Sequence, residues 1–231
     1  MARLLLLLSS ACGLRLHHPM PLSLDSPRAP HTLRGSPSMQ AQASHSVLVP
    51  IGTGSEEIET ACITDTLVRA GASVTVASVM PGPSLEVTMS RGLRLVADCA
   101  IEDCVGKEWA CIALPGGMPG AEHLRDSSAL RELLSVQRDT GQLTAALCAS
   151  PAVVLASHGL CPVRATCYPA PQFCDTLPSD WVDSKVELDN NVITSQGPGT
   201  SLQFALKIVE QLYGREKAEL IAKQMLTTLA A

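Results

Sequence analysis

Leu143-Thr-Ala-Ala-Leu-Cys148-Ala-Ser-Pro151-Ala-Val-Val-Leu-Ala156 decides how the rest of the chain is read. Leu143 to Leu147 is a short apolar run between Gly141 and a group of small residues with a proline, the pattern of a buried strand. Proline has no N–H to lose at the first position of a helix, so Pro151 opens one and Ala152 to Ala156 continues it. Cys148 then falls at a strand-to-helix turn, with Ala149 and Ser150 keeping the corner uncrowded. That is the geometry of a nucleophile elbow, with cysteine where hydrolases place serine. A thiol there points toward the free N–H groups and positive end of a helix, which favour the thiolate. The rival reading is a buried structural cysteine, since free cysteine is among the most buried residue types.

On either side of this stretch, strand and helix patterns alternate. Ser46 to Ile51 reads as a strand ending at Gly52-Thr-Gly54, and a helix follows from about Glu56 to Ala70, stopped by Gly71. Ser73 to Val79 is the next strand. Leu85 to Met89 and Leu93 to Ala97 flank Arg91-Gly92 as a hairpin. Ala100 to Val105 is a short helical turn, and Ala110 to Leu114 is a strand running into Pro115-Gly116-Gly117. Ser127 or Ser128 caps a helix with Leu130, Leu133 and Leu134 on one face. Beyond the elbow, Val163 to Tyr168 reads as a strand, and Lys185 to Leu188 pairs with Val192 to Ser195 around Asp189-Asn-Asn191. A helix from about Ser201 to Tyr213 buries Phe204, Ile208 and Leu212, and an amphipathic helix spans Glu216 to Leu229. Such alternation predicts an α/β fold with a mostly parallel sheet covered on both faces, which binds ligands at the carboxyl ends of its strands.

A chain of 231 residues holds one full-sized domain and an extension. With only 3% aromatic residues, its core must come from Leu, Val, Ile and Ala. A formal charge of -5 without a basic cluster makes nucleic acid an unlikely partner, and no apolar run beyond the N-terminus is long enough for a membrane span. The nine cysteines include no CxxC pair and no histidine at zinc-ligand spacing, so they read as reduced thiols rather than a metal or disulfide framework. Residues 1–44 differ from the rest. Arg3, Arg15, Arg28 and Arg34 face one acid, Asp25, among Ser, Pro and Leu, the composition of a transit peptide for a chloroplast or mitochondrion. The alternatives are a secretory signal around Leu4 to Leu8, or an untargeted extension on a cytoplasmic protein. The folded domain is 45–231.

Three strand-to-helix loops are expected on the carboxyl edge: Gly52 to Glu59, Pro115 to Gly120 and the Cys148 elbow, with Gln196-Gly-Pro-Gly199 as a fourth. The first lacks the third glycine of a dinucleotide loop, and Glu56, Glu57 and Glu59 stand where a pyrophosphate would need N–H groups. Acids in a first helical turn ordinarily complement the helix dipole, the reading taken for Glu56 and Glu57. A carboxyl beside the elbow thiol would instead exchange protons with it, and residue types alone leave all three acids in play. Gly116-Gly117 permits close main-chain approach and can aim N–H groups at a developing oxyanion, or is simply a tight turn.

GSEEIET (54–60), ALPGG (113–117), ALCASPA (146–152) and SQGPGTSLQFAL (195–206) together resemble the Parkinsonism-associated deglycase family, the DJ-one branch of the ThiJ/PfpI superfamily. The resemblance runs in one register from about Ser46 to the C-terminus. It implies a flavodoxin-like three-layer sandwich and a homodimer. It places the reactive cysteine at Cys148, selects Glu59 as its carboxyl partner, and assigns Gly116, Gly117 and the Ala149 N–H to the oxyanion pocket. It implies a glutathione-independent glyoxalase or deglycase, acting on reactive carbonyls or on glycated thiols and amines, with no metal or organic cofactor. Its alternative is a non-enzymatic oxidative-stress sensor or redox-dependent chaperone using a Cys148 sulfinate. Some members carry a histidine where this chain has Tyr168, here read as a pocket-wall residue whose hydroxyl finds a partner. His158 is expected too near the elbow to substitute, and His123 is the other candidate. A peptidase would want histidine where Ala149 stands, and an amidotransferase would want a Cys-His-Glu triad that these residues do not supply.

Overall fold

The computed structural model describes residues 44–179 and 181–230. The expected transit-type extension, residues 1–44, lies outside the described residues except for Ser44. In chain order the elements are β1 (Ser46–Ile51), α1 (Glu57–Ala70), β2 (Ser73–Ser78), β3 (Glu86–Thr88), β4 (Arg94–Val96), β5 (Cys99–Ala100), β6 (Cys111–Leu114), α2 (Gly120–Asp126), α3 (Ser128–Thr140), β7 (Leu143–Leu147), α4 (Pro171–Cys174), β8 (Val186–Asp189), β9 (Val192–Ser195), α5 (Ser201–Tyr213) and α6 (Arg215–Gln224). Seven strands form one sheet in the order β5-β2-β1-β6-β7-β9-β8, parallel throughout except for the β8–β9 pair. The central β2-β1-β6-β7-β9 order is the flavodoxin-like doubly wound arrangement, whose topological switch point lies between β1 and β6. β3 and β4 form a separate antiparallel hairpin, as the sequence predicts.

The pleat explains the three layers. In β1, Val47, Val49 and Ile51 face one core, shared with α1, α5 and α6, while Leu48 faces the other. β6 repeats the division, with Cys111 and Ala113 on the first side and Ile112 and Leu114 on the second, against α2 and α3. Strands covered on both faces need apolar residues at consecutive positions, hence the unbroken apolar runs. Helix ends follow their caps. Gly71 and Gly141 take left-handed conformations after α1 and α3, at φ 99° and 67°, and Ser127 Oγ accepts the Leu130 N–H at 3.2 Å.

Three expectations need correction. Val163 to Tyr168 is not a strand, because the slot beside β7 belongs to β9. The segment's N–H groups go elsewhere: Arg164 donates to Asp189 Oδ2, Thr166 to Thr194 Oγ1 and Tyr168 to the Cys148 carbonyl. The elbow helix is not regular. Pro151 to Leu155 forms a π-helical turn, closed by the Ala156 N–H on the Pro151 carbonyl, and a 3-10 turn follows to His158. Finally, α6 stops at Gln224 rather than Leu229. Leu226 takes φ 55°, Thr227 N–H donates to the Ala222 carbonyl and Leu226 N–H to the Lys223 carbonyl. These bonds make a Schellman cap with leucine in the position glycine usually fills, so the stop carries no glycine signal.

Phe204 of α5 is wholly buried in the first core. Phe204→Ala should destabilise the domain by about 3 to 5 kcal/mol in chemical denaturation. A loss under about 1 kcal/mol would show that α5 does not anchor that core.

Candidate active site

β1, β6 and β7 all deliver their carboxyl ends to one edge, and the loops meet there main chain to main chain. The Glu56 N–H donates to the Gly116 carbonyl at 3.0 Å, joining the first loop to the second. Ser150 Oγ donates to the Pro115 carbonyl at 2.6 Å, joining the second to the elbow. A Cβ on Gly116 would stand 2.6 Å from Cys148 Cβ and 2.9 Å from the Ala149 nitrogen. A Cβ on Gly117, itself at φ 85°, would meet Gly54 O and Glu56 N. Both glycines are therefore required by close approach, and Gly117 also by its left-handed backbone.

Cys148 occupies the elbow at φ 65°, a left-handed conformation that ordinarily costs a non-glycine residue about 1 to 3 kcal/mol. Two main-chain bonds hold it. Its N–H donates to the Ser195 carbonyl at 3.0 Å, and its carbonyl accepts the Tyr168 N–H at 2.8 Å. The thiol is 8% exposed and opens into a cavity of about 250 Å³ walled by Gly117, Ala149, Tyr168, Phe173 and Pro198, among others.

The three acids separate by helix phase. Glu56 is the N-cap of α1, its Oε2 accepting the Glu59 N–H at 2.8 Å, and Glu57 accepts the Ser90 hydroxyl and the Arg91 N–H. Desolvation of Glu57 works against these two hydrogen bonds, which win and hold its carboxyl below the ordinary range. Glu59 turns inward. It is wholly buried, its Oε2 accepts the Gly116 N–H at 2.6 Å, and its carboxyl interacts with the Cys148 thiol. Its Oε1 has no hydrogen-bond partner among the described residues. Burial lifts Glu59 to about 7, against the opposing pull of Gly116 and Cys148.

Burial also pushes the Cys148 thiol up, and the neighbouring Glu59 carboxylate adds to this. The Gly117 and Ala149 N–H groups pull it back down, without cancelling it. The sequence predicts a thiolate favoured by a helix end. In the folded site, desolvation and the adjacent carboxylate dominate instead, so thiol and carboxyl resist carrying two negative charges at once.

Of the residues singled out in the sequence, Cys148, Glu59, Gly117, Ala149 and Tyr168 come together. Gly116 does not line the cavity: its N–H is taken by Glu59, so only Gly117 and Ala149 offer N–H groups at the sulfur. Tyr168 is a wall residue, 44% exposed, whose hydroxyl has no partner among the described residues. The Gln196–Gly199 loop joins the site through Pro198. No described histidine lines the cavity. His158 bonds the Arg125 carbonyl, His123 packs beside Gly52, and His45 stacks edge-on against Tyr213. Sequence reasoning missed Phe173, which meets Tyr168 edge-to-face at 6.2 Å, and Arg91, which the β3–β4 turn brings to the cavity. Their only signal is position beside a turn. The eight described cysteines are free thiols. No helix among the described residues is long and apolar enough to cross a membrane.

Residues 45–211 match the DJ-1/PfpI family. A protein of Arabidopsis thaliana named protein DJ-1 homolog B is 44% identical over 191 residues, 82% of this chain and 43% of that protein. The chain thus spans under half the length of that relative. A Caenorhabditis elegans protein named glutathione-independent glyoxalase DJR-1.2 is 39% identical, covering 81% of this chain and 98% of its own length. Among solved structures, oxidized Toxoplasma gondii DJ-1 superposes with a TM-score of 0.75 at 46% identity, covering 80% of this chain and all of that one.

A carboxyl raised to about 7 makes a stability prediction. The fold keeps the Glu59 proton that the unfolded chain releases near the ordinary carboxyl value. The stability this gives is therefore complete below about pH 4.5 and is lost as pH rises through about 7. Above that, ionised Glu59 costs about 3 kcal/mol. Glu59→Gln should therefore melt at higher temperature than wild type at pH 8, with the gap closing toward pH 5. A gap that does not change with pH would mean that the carboxyl does not titrate in this window.

Proposed function

We propose that this chain, which belongs to the DJ-1/PfpI family, is a glutathione-independent glyoxalase or deglycase acting on methylglyoxal, glyoxal or early glycation adducts. The observation that carries this reading is the contact between a buried carboxyl of pKa about 7 and an elbow thiol that opens into a small cavity. A general base poised near neutrality serves at working pH. The C. elegans relative's name, glutathione-independent glyoxalase, supports the same class.

In this mechanism Cys148 attacks the aldehyde carbon as Glu59 takes the thiol proton, and Glu59 returns that proton to the new alkoxide, giving a neutral hemithioacetal and an ionised Glu59. The Gly117 and Ala149 N–H groups stabilise the oxyanion. Glu59 then moves the aldehyde-carbon proton to the neighbouring carbon through an enediol, leaving a thioester of the hydroxyacid. Water cleaves the thioester, releasing lactate or glycolate and restoring the thiol. Attack on an early glycation adduct would instead free the amine or thiol. Because Gly116 N–H is committed to Glu59, it orients the base rather than the oxyanion.

The non-enzymatic reading draws on the same pair. A protonated Glu59 and the two N–H groups would hydrogen-bond a Cys148 sulfinate, so the site also suits an oxidative-stress sensor or redox-dependent chaperone. A homodimer is the proposed assembly. Ile58 and Leu93, each 54% exposed, supply apolar surface near the Glu57–Arg91 hydrogen bond in sequence. Import into a chloroplast or mitochondrion is proposed from the Arg-rich, acid-poor first 44 residues.

Lactate formed from methylglyoxal without glutathione tests the enzyme reading. Cys148→Ser should lose all detectable turnover, and Glu59→Gln about 100-fold or more of kcat/KM. Activity retained by the serine variant would end the proposal. Wild-type kcat/KM should fall as pH drops below about 7, when Glu59 gains its proton. A flat profile from about pH 6 to 8 would remove Glu59 as the base.

A further inference from the structure

The geometry points to a second redox site behind the cavity wall: Cys167 and Cys174 form a dithiol that a hydroperoxide closes to a disulfide, and closure shifts Tyr168 and Phe173. The two sulfurs stand 4.0 Å apart, across the turn that ends in α4. A disulfide needs about 2 Å between sulfurs. Cys174 is the last residue of a one-turn helix, so the approach requires only a short shift of that turn. Cys161 packs against the same small cluster, but among the described residues there only Cys167 and Cys174 are in sulfur–sulfur contact. Cys99 and Cys104 make a second close pair at 3.6 Å, but neither lines the Cys148 cavity.

Both thiols rest on one atom that belongs to the site. Cys167 Sγ lies 3.5 Å and Cys174 Sγ 3.8 Å from the Tyr168 carbonyl, and each S–H donates to it. The same residue's N–H holds the Cys148 carbonyl at 2.8 Å. Tyr168 follows Cys167 directly, Phe173 precedes Cys174, and both rings wall the cavity. Closing the disulfide removes both S–H donors from the Tyr168 carbonyl. It also draws Phe173 against Tyr168, which narrows access to Cys148.

The chemistry balances with a hydroperoxide as oxidant. Cys174, the more exposed thiol, attacks the peroxide. The O–O bond breaks, leaving a Cys174 sulfenic acid and an alcohol, or water from hydrogen peroxide. Cys167 then attacks the Cys174 sulfur, the S–O bond breaks, and water leaves with both protons. The thiols lose two electrons and two hydrogens in all, and the peroxide gains them. Burial pushes the Cys167 thiol up, which makes it the poorer thiol for the first attack on the peroxide. A dithiol reductant reverses the step.

Two measurements test the proposal on the full chain. Reduced Cys148→Ser protein is treated with hydrogen peroxide and digested with trypsin. Ala165–Lys185 carries Cys167 and Cys174 and no other cysteine. That peptide should lose the mass of two hydrogens and regain it with dithiothreitol. Two intact thiols, or a bond from either cysteine to Cys161 on another peptide, would overturn the assignment. Wild type is then oxidised with diamide and Cys148 labelled with iodoacetamide. Labelling should slow several-fold in wild type and stay unchanged in Cys174→Ser. A disulfide that forms without slowing the labelling would sink the coupling to the cavity. The first measurement lacks Cys148 altogether, so failure of the glyoxalase reading leaves it standing.

Discussion

The missing side chain at Gly116 is the constraint on which the carboxyl edge depends. Three loops from three strands must meet within main-chain contact for the elbow sulfur to sit beside a carboxyl from α1. A Cβ at 116 would stand 2.6 Å from Cys148 Cβ and would force the second loop off the elbow. The same residue's N–H fixes the Glu59 carboxyl at 2.6 Å. One glycine therefore sets the approach of the Cys148 elbow and the aim of the Glu59 carboxyl. The placement follows from topology, because β1 and β6 flank the switch point, where loops diverge and leave a crevice.

The electrostatics follow from that packing. Behind these main-chain contacts Glu59 is wholly buried, so its carboxyl is desolvated and its proton is held to about pH 7. The Cys148 thiol faces the same dry surroundings on one side and the cavity on the other. Neither group ionises easily while the other is charged, which binds them into one titrating unit. In the proposed mechanism the sulfur gains its reactivity by handing its proton to Glu59 at the moment of attack. A helix end alone would not achieve this here, since the first turn after the elbow is π-helical and burial outweighs the N–H groups.

Much of the frame was legible because glycine and periodicity signal it directly. Gly71 ends α1 where the sequence places the end, and α5 runs from Ser201 to Tyr213 as read. The choice among Glu56, Glu57 and Glu59 was legible in principle. Glu59, Ile63, Thr66 and Ala70 recur at four- and three-residue spacing and share the buried stripe of α1, so the first of them points inward. Other features had no local signal. The run from Val163 to Tyr168 has the residues of a strand but no free neighbour to pair with, and strand formation depends on that neighbour. The commitment of the Gly116 N–H to a distant side chain is equally invisible without the fold.

Position 168 shows how main chain and side chain divide the work. What the elbow needs from Tyr168 is its N–H on the Cys148 carbonyl, just as it needs the Ser195 carbonyl on the other side. Together these bonds hold Cys148 in a strained backbone conformation without using a side chain. The ring at 168 is thus released to serve as cavity wall, and in the proposed mechanism proton transfer is left to Glu59. The same main-chain bond ties the elbow to the Cys167–Cys174 turn, because the Tyr168 carbonyl that receives both thiols belongs to the residue whose N–H holds Cys148. A change at either sulfur of that pair therefore reaches the nucleophile through a single residue, with no need for a longer path through the core.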